Sequence, residues 1–246
     1  MTDLRGRRAL VTGAGRRVGR AIALELGGRG AKVGVHYHQS REGALETCRL
    51  IRERGSDAVP LEADLTDLAR ARDLADRAIA ELGGLDILVA SAGNFERLTY
   101  DSLDDASFAR SLELNVAAPF ALVHQASAAL RAARGSVVFI TCSSATVPFR
   151  HHLPYVVSKG ALRHLMKTLS LELAPEVRVN AVAPGLVLPA EDMSGADLAR
   201  MIGRIPLSRS GTPEDVAEAV LYLCRAPFVT GQELVVDGGR TVAGFG

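Results

Sequence analysis

Seven short apolar runs, separated by longer stretches of helical periodicity, constrain this chain more than any other feature. The runs are "RALVTG" (about 8–12), "AKVGVHY" (31–37), "AVPLEADL" (58–65), "LDILVAS" (85–91), "SVVFITC" (136–142), "VRVNAVAP" (177–184) and "ELVVDG" (233–238). They are mostly continuous rather than alternating, as expected of strands covered on both faces. The intervening stretches carry apolar stripes at helical spacing. The clearest is 155–173, with Leu162, Leu165, Met166, Leu169 and Leu173 on one face. Strands alternating with helices predict an α/β fold with a parallel, doubly wound sheet. The 246 residues suffice for one such domain, 1–246, and no repeat or linker divides them. The least regular segment is 186–212. It follows a strand's C-terminal end, where open α/β sheets bind ligands, and is therefore a candidate substrate lid.

Several function classes are excluded at this stage. A formal net charge of +1 provides no strong field for nucleic acid or an anionic membrane surface. No run of 18 apolar residues suggests a membrane span, and the N-terminus enters a strand with no apolar signal core. Cys48, Cys142 and Cys224 form no close-spaced metal pattern, and their odd number argues against a disulfide framework. A reducing cytoplasm is the expected compartment.

The first strand runs into "TGAGRRVG", with Gly13, Gly15 and Gly19 ahead of a helix. Glycine lets the backbone turn tightly and approach a pyrophosphate, while the helix start offers free N–H groups. The alternative is an ordinary strand–helix turn; the position early in the chain, between strand and helix, favours the dinucleotide site. Sites selective for NAD place a carboxylate at the end of the second strand to accept from the ribose hydroxyls. Here that strand ends in "HYHQSR" with no acid. Arg16 and Arg17 in the turn, with His38, Ser40 and Arg41 as further donors, suit a 2′-phosphate, so NADP(H) is expected. His36 and His38 lack a third ligand, and no metal site is expected.

In "PYVVSKGALRHL", Tyr155 and Lys159 stand four apart on one helical face. A phenol titrates near ~10. An adjacent ammonium lowers that value, so Tyr155 is expected to donate a proton to a developing alkoxide or amide nitrogen, with Lys159 also holding a ribose.

Over essentially its whole length the chain resembles the short-chain dehydrogenase/reductase family. The matching residues are "TGAGRRVG", Asp64 in "EADL", "ASAG" at 90–93, Asn115 in "LELNVAAP", the Tyr155/Lys159 pair, "VNAVAPG" at 179–185 and "VDGG" at 236–239. The resemblance implies a Rossmann-type, seven-stranded parallel sheet and hydride transfer from a nicotinamide. It casts Tyr155 as acid, Lys159 as ribose anchor and Asn115 as support for a proton relay. It also implies cofactor contacts from Gly13, Arg16, Arg17, Val18 and Gly19, from Tyr37, His38, Gln39 and Ser40, and from Asp64 and Leu65 around the adenine. Ala92 and Gly93, then Pro184, Gly185 and Leu186, complete that set, and a homotetramer is the implied assembly.

The departures are informative. Arg17 stands where the family carries the middle glycine of the turn, and Ala90 and Ser91 replace two asparagines. The family's serine lies thirteen residues before the tyrosine, which here is Cys142, with Ser143 and Ser144 following. Either Cys142 takes the serine's place or a one-residue shift brings in Ser143; ungapped spacing favours Cys142. Within the family, the arginine in the turn, "HYH-x-S", the non-serine residue and "PGLVLPAEDM" are similar to the pteridine reductases. That likeness aligns Phe95 with an aromatic that stacks on the pterin, although Phe95 also reads as an ordinary loop aromatic. Three functions follow: NADPH-dependent reduction of a pterin, reduction of a carbonyl such as a 3-oxoacyl thioester or small ketone, and non-catalytic NADP(H) sensing. The presence of both Tyr155 and Lys159 argues against the third.

Overall fold

Alternate residues of the central strands feed two different cores. In β1 (Arg8–Val11), Ala9 and Val11 face one core and Leu10 the other. In β4 (Ile87–Ala90), Ile87 and Val89 part in the same way from Leu88 and Ala90, and in β5 (Ser136–Ile140) Val138 and Ile140 part from Val137 and Phe139. Successive side chains of a strand point to opposite faces, so a sheet covered on both sides needs apolar residues at every position. The computed structural model describes residues 3–189 and 194–243.

With β2 (Lys32–Tyr37), β3 (Ala58–Glu62), β6 (Arg178–Pro184) and β7 (Glu233–Val236), these strands form one seven-stranded sheet in the order β3-β2-β1-β4-β5-β6-β7. Every neighbouring pair is parallel. The helices are α1 (Arg17–Gly28), α2 (Arg41–Glu53), α3 (Leu68–Leu82), α4 (Asp105–Leu112), α5 (Ala118–Ala132), α6 (Leu153–Glu172), α7 (Gly195–Ile202), α8 (Pro213–Arg225) and the short α9 (Arg240–Ala243). Ile22 and Leu26 of α1, Ile51 of α2 and Val220 of α8 close one core; Leu74 of α3, Leu122 of α5 and Met166 of α6 close the other. Strand order reverses between β1 and β4, which places the ligand crevice of an open α/β sheet at their C-terminal ends.

Several strands stop short of the apolar runs that predict them. β3 ends at Glu62 and β5 at Ile140, so Asp64, Leu65 and Cys142 leave the ladder as loop residues at the crevice. The helix expected over 155–173 begins earlier, at Leu153, with Pro154 in its first turn, where a missing N–H costs nothing. The segment 186–212 is more regular than expected. It contains α7, whose N-cap Ser194 accepts from Asp197 N–H at 3.1 Å. Ala190–Met193, the end of "PGLVLPAEDM", lie outside the described residues.

Candidate active site

A cleft of about 990 Å³ opens at the β1–β4 switch point. Its floor is the phosphate turn. Gly13 has φ +66°, and a Cβ there would stand 3.0 Å from Ala92 Cα; a Cβ on Gly19 would stand 2.2 Å from Gly13 O. The turn is thus packed directly against the 91–93 loop and the start of α1. Thr12, buried at the end of β1, fixes the same junction: its hydroxyl oxygen accepts from Ser91 N–H and Ala92 N–H, both at 2.9 Å. Arg16, the N-cap of α1, makes no side-chain cap, which leaves the first-turn N–H groups available to an anion. This combination of close backbone approach and uncapped helix start fits a dinucleotide pyrophosphate.

The cofactor residues inferred from the sequence line this one cleft, as do Cys142, Ser143, Phe95, Tyr155 and Lys159; Arg41, expected as a further phosphate donor, does not, and stands exposed as the first residue of α2. Two further details differ from expectation. Arg17 does not face the end of β2. It adopts φ +53°, and its guanidinium donates to Leu188 O at 3.2 Å, across the cleft on the segment after β6. The second is a carboxylate near the expected 2′-phosphate position. Asp64 comes within 3.8 Å of His38 Nε2, and its own hydrogen bonds from Thr66 hold its carboxyl below the usual range. His36 and His38 do not act as a pair: His36 is buried and bonded within the protein, whereas His38 lies past the end of β2 and is half-exposed.

Tyr155 and Lys159 project from the first turns of α6 beside the end of β5. Lys159 is buried, and Nζ donates to Ile140 O at 2.8 Å. Burial drops its pKa to about 8. The ammonium lies 5.6 Å from the centre of the Tyr155 ring. The expectation that it lowers the phenol's pKa is not met in this state. Burial, then the charge of and hydrogen bond to Cys142, push Tyr155 well above 10.0. Tyr155 is therefore held as a neutral phenol, the form a proton donor requires. Cys142 is the residue brought against it; its sulphur also accepts from Ser144 N–H at 3.4 Å, while Ser143 opens the short turn Ser143–Ala145.

Asn115 is fully buried in a π-helical turn, Glu113–Ala117, between α4 and α5. Such turns often sit at functional sites. Its Nδ2 donates to Asn94 Oδ1 and Ser158 Oγ, each at 2.9 Å. Its Oδ1 has no partner among the described residues. A Cβ on Gly93 would stand 2.7 Å from that oxygen and 3.5 Å from Lys159 Nζ, so both groups converge on Gly93. Asn94 and Ser158 were not expected from sequence. Only their contacts with Asn115, 21 and 43 residues away, bring them into the site.

An aromatic cluster forms the cleft mouth. Phe95, 58% exposed, stacks on His152 with centroids 4.1 Å apart and meets Tyr155 edge-on at 4.8 Å. Phe149 stands 6.2 Å from Phe95. His152 Nδ1 lies 2.8 Å from Glu96 O, and burial lowers its pKa, leaving the ring neutral at pH 7 and able to donate there. Met201 of α7 and Arg240 and Thr241 of α9 also reach the cleft.

A sheet of this order, with a phosphate turn after β1 and a buried lysine and neutral phenol beside β5, defines a nucleotide-dependent oxidoreductase architecture. A family model described as "Enoyl-(Acyl carrier protein) reductase" matches residues 13–241. A short chain dehydrogenase of Emericella nidulans is 34% identical over 256 residues, covering 96% of this chain and 96% of its own. Among solved structures, a 7 alpha-hydroxysteroid dehydrogenase complexed with NADH and 7-oxo glycochenodeoxycholic acid superposes with TM-score 0.92 at 33% identity, over 96% of this chain and 95% of that one. A gluconate 5-dehydrogenase from Burkholderia cenocepacia, complexed with NADP and tartrate, gives 0.90 at 29% identity, over 98% and 97%. The chain belongs to the short-chain dehydrogenase/reductase family and is an oxidoreductase of that family.

Proposed function

We propose that this chain is an NADP(H)-dependent reductase of carbonyl compounds. The observation that carries the reading is the neutral Tyr155 hydroxyl beside Cys142, in a cleft continuous with the phosphate turn. The nicotinamide, when bound, supplies the hydride. Tyr155 hands its proton to the developing alkoxide, Cys142 orients the same oxygen in the place of the family's serine, and Lys159 holds the ribose. Asn115 Oδ1 and Lys159 Nζ, converging on Gly93, mark the route by which Tyr155 regains a proton. NADP(H) rather than NAD(H) is supported by the missing acid at 36–38 and by Arg16 and Arg17. Asp64 weakens that preference, and the two structural neighbours themselves hold NADH in one case and NADP in the other.

A second reading, reduction of a pterin C=N bond from dihydropterin to tetrahydropterin, is supported by Phe95. Its exposed ring, backed by His152, offers a flat surface beside Tyr155, worth about 0.5–1.5 kcal/mol to an aromatic ligand beyond area burial. The segment 186–212, with α7 and Met201, would close over either substrate. A homotetramer is the assembly proposed with this reading; Leu234 and Val235 on the edge strand β7, with Phe228 and Leu171, are apolar and exposed. Among the described residues no helix is long and apolar enough to cross a membrane.

The test is NADPH oxidation with acetoacetyl thioester, small ketones, dihydrobiopterin and dihydrofolate side by side, repeated with Tyr155→Phe. Turnover of a ketone or thioester that falls by roughly 10²–10⁴ in the variant, with NADPH still bound, is the expected result. Turnover of pterins alone would favour the second reading, and full activity of the variant would remove Tyr155 from the chemistry.

A further inference from the structure

His36 has no part in the proposed chemistry, yet it sits where the two walls of the cofactor cleft meet. It is buried in β2, with 2% of its surface exposed. The Gly13 N–H of the phosphate turn donates to its Nδ1 at 3.0 Å. Its Nε2 lies 3.1 Å from Ala63 O, the residue before Asp64 and Leu65 on the adenine side. These contacts fix the tautomer. Nδ1 accepts and so carries no proton; Nε2 therefore carries it and donates to Ala63 O. Burial, assisted by the charges of His38 and Arg77, lowers the ring's pKa to about 4, so this neutral form persists at pH 7. Backbone bonds reinforce the junction: Ala14 N–H donates to His36 O at 2.8 Å, and Ala63 N–H to Tyr37 O at 3.0 Å. Only the imidazole reaches both walls at once.

We propose that His36 is a positioning residue of the cofactor site, a neutral imidazole strut that holds the pyrophosphate turn and the adenine wall at the spacing a dinucleotide requires. A turn left to relax would have to be ordered again on binding, and a preorganised site avoids that cost. An apolar side chain in its place also leaves the half-buried Gly13 N–H without this acceptor. The proposal rests on the dinucleotide reading of the cleft, and the test separates the two.

The test measures binding of NADP⁺ and of 2′,5′-ADP by calorimetry at pH 7, with unliganded melting temperatures, for wild type, His36→Phe, His36→Asn and His36→Gln. Phe fills the ring's volume and makes neither bond. Asn places its carbonyl oxygen where Nδ1 stands and restores the acceptor for Gly13. Gln places its amide near Nε2 and restores the bond to Ala63. For two lost hydrogen bonds the expected result is NADP⁺ binding roughly tenfold weaker in His36→Phe, with Asn recovering more of the loss than Gln. A dissociation constant within twofold of wild type in His36→Phe overturns the proposal even if the variant melts lower, because a purely structural role moves only the melting temperature. Asn binding as weakly as Phe overturns it as well. If Phe fails to fold, the Asn and Gln variants still decide: both must bind more weakly than wild type, Gln more so. A wild type that binds neither probe overturns the dinucleotide reading and this proposal with it.

Discussion

Arg17 offers a perturbation whose backbone and side-chain parts can be measured separately. It stands where the resembled family carries glycine, at φ +53°. A non-glycine residue in this region costs roughly 1–2 kcal/mol. Arg17→Gly removes that strain and adds roughly 0.5–1 kcal/mol of backbone entropy cost. It also removes the guanidinium's bond to Leu188 O, which is exposed and so contributes at most about 1 kcal/mol after solvent screening. The net change is near zero. Arg17→Ala loses the same bond and keeps the strain but avoids glycine's entropy cost, so it should melt below the glycine variant by roughly 1–3 °C for a chain of this size. The cofactor readout is independent of that difference. If Arg17 leaves Leu188 O to meet a 2′-phosphate, both variants lose NADPH affinity by roughly tenfold or more and leave NADH affinity almost unchanged. Melting curves and fluorescence titrations with both cofactors measure the two effects. An alanine variant more stable than the glycine variant would refute the strain. Equal losses for NADPH and NADH would place the guanidinium on the pyrophosphate, and no loss for either would leave it as a tether of the loop after β6.

The serine-position question is answered by kinetics. Cys142→Ala should lower turnover and Ser143→Ala should do little, whereas Cys142→Ser should keep or raise it because a hydroxyl donates the stronger hydrogen bond; the reverse pattern would assign the role to Ser143. Lys159 makes a stability prediction with a definite sign. Its pKa falls from 10.5 to about 8 on folding, so between those pH values the unfolded chain binds more protons and wild-type stability rises with pH. Lys159→Met should therefore lose activity yet melt no lower than wild type at pH 7, from a burial penalty of about 3 kcal/mol, less the bond to Ile140 O. That advantage should shrink from pH 8 to 10.5, and a gap constant with pH would refute the depressed pKa.

The architecture was legible because one physical rule governs the central strands: a sheet covered on both faces favours apolar side chains at nearly every position, with few buried polar exceptions such as His36 and Asn180. Continuous apolar runs between helical stripes therefore predict the parallel sheet, and Gly13, Gly15 and Gly19 between a strand and a helix predict the phosphate turn. Strand ends were less legible. "EADL" and "ITC" read as strand to their last residues, but Asp64 and Cys142 leave the ladder to face the cleft, and side-chain type alone does not mark that exit.

The residues missed share a different property: their roles arise from pairs distant in sequence. His36 reads as half of a poor metal pair until Gly13 and Ala63 are seen on either side of its ring. Asn94 and Ser158 look unremarkable until Asn115 donates to both. The same limit explains the reversed expectation for Tyr155. Spacing on one helix predicted a lysine that lowers the phenol's pKa, because it counted the neighbouring charge and could not count desolvation. In the folded cleft both groups are buried, and burial acts on them in opposite directions, raising Tyr155 and lowering Lys159. The unliganded site therefore rests with its phenol protonated and its lysine carrying the more weakly held proton. That arrangement suits reduction, in which Tyr155 gives up a proton and must regain one from inside the protein.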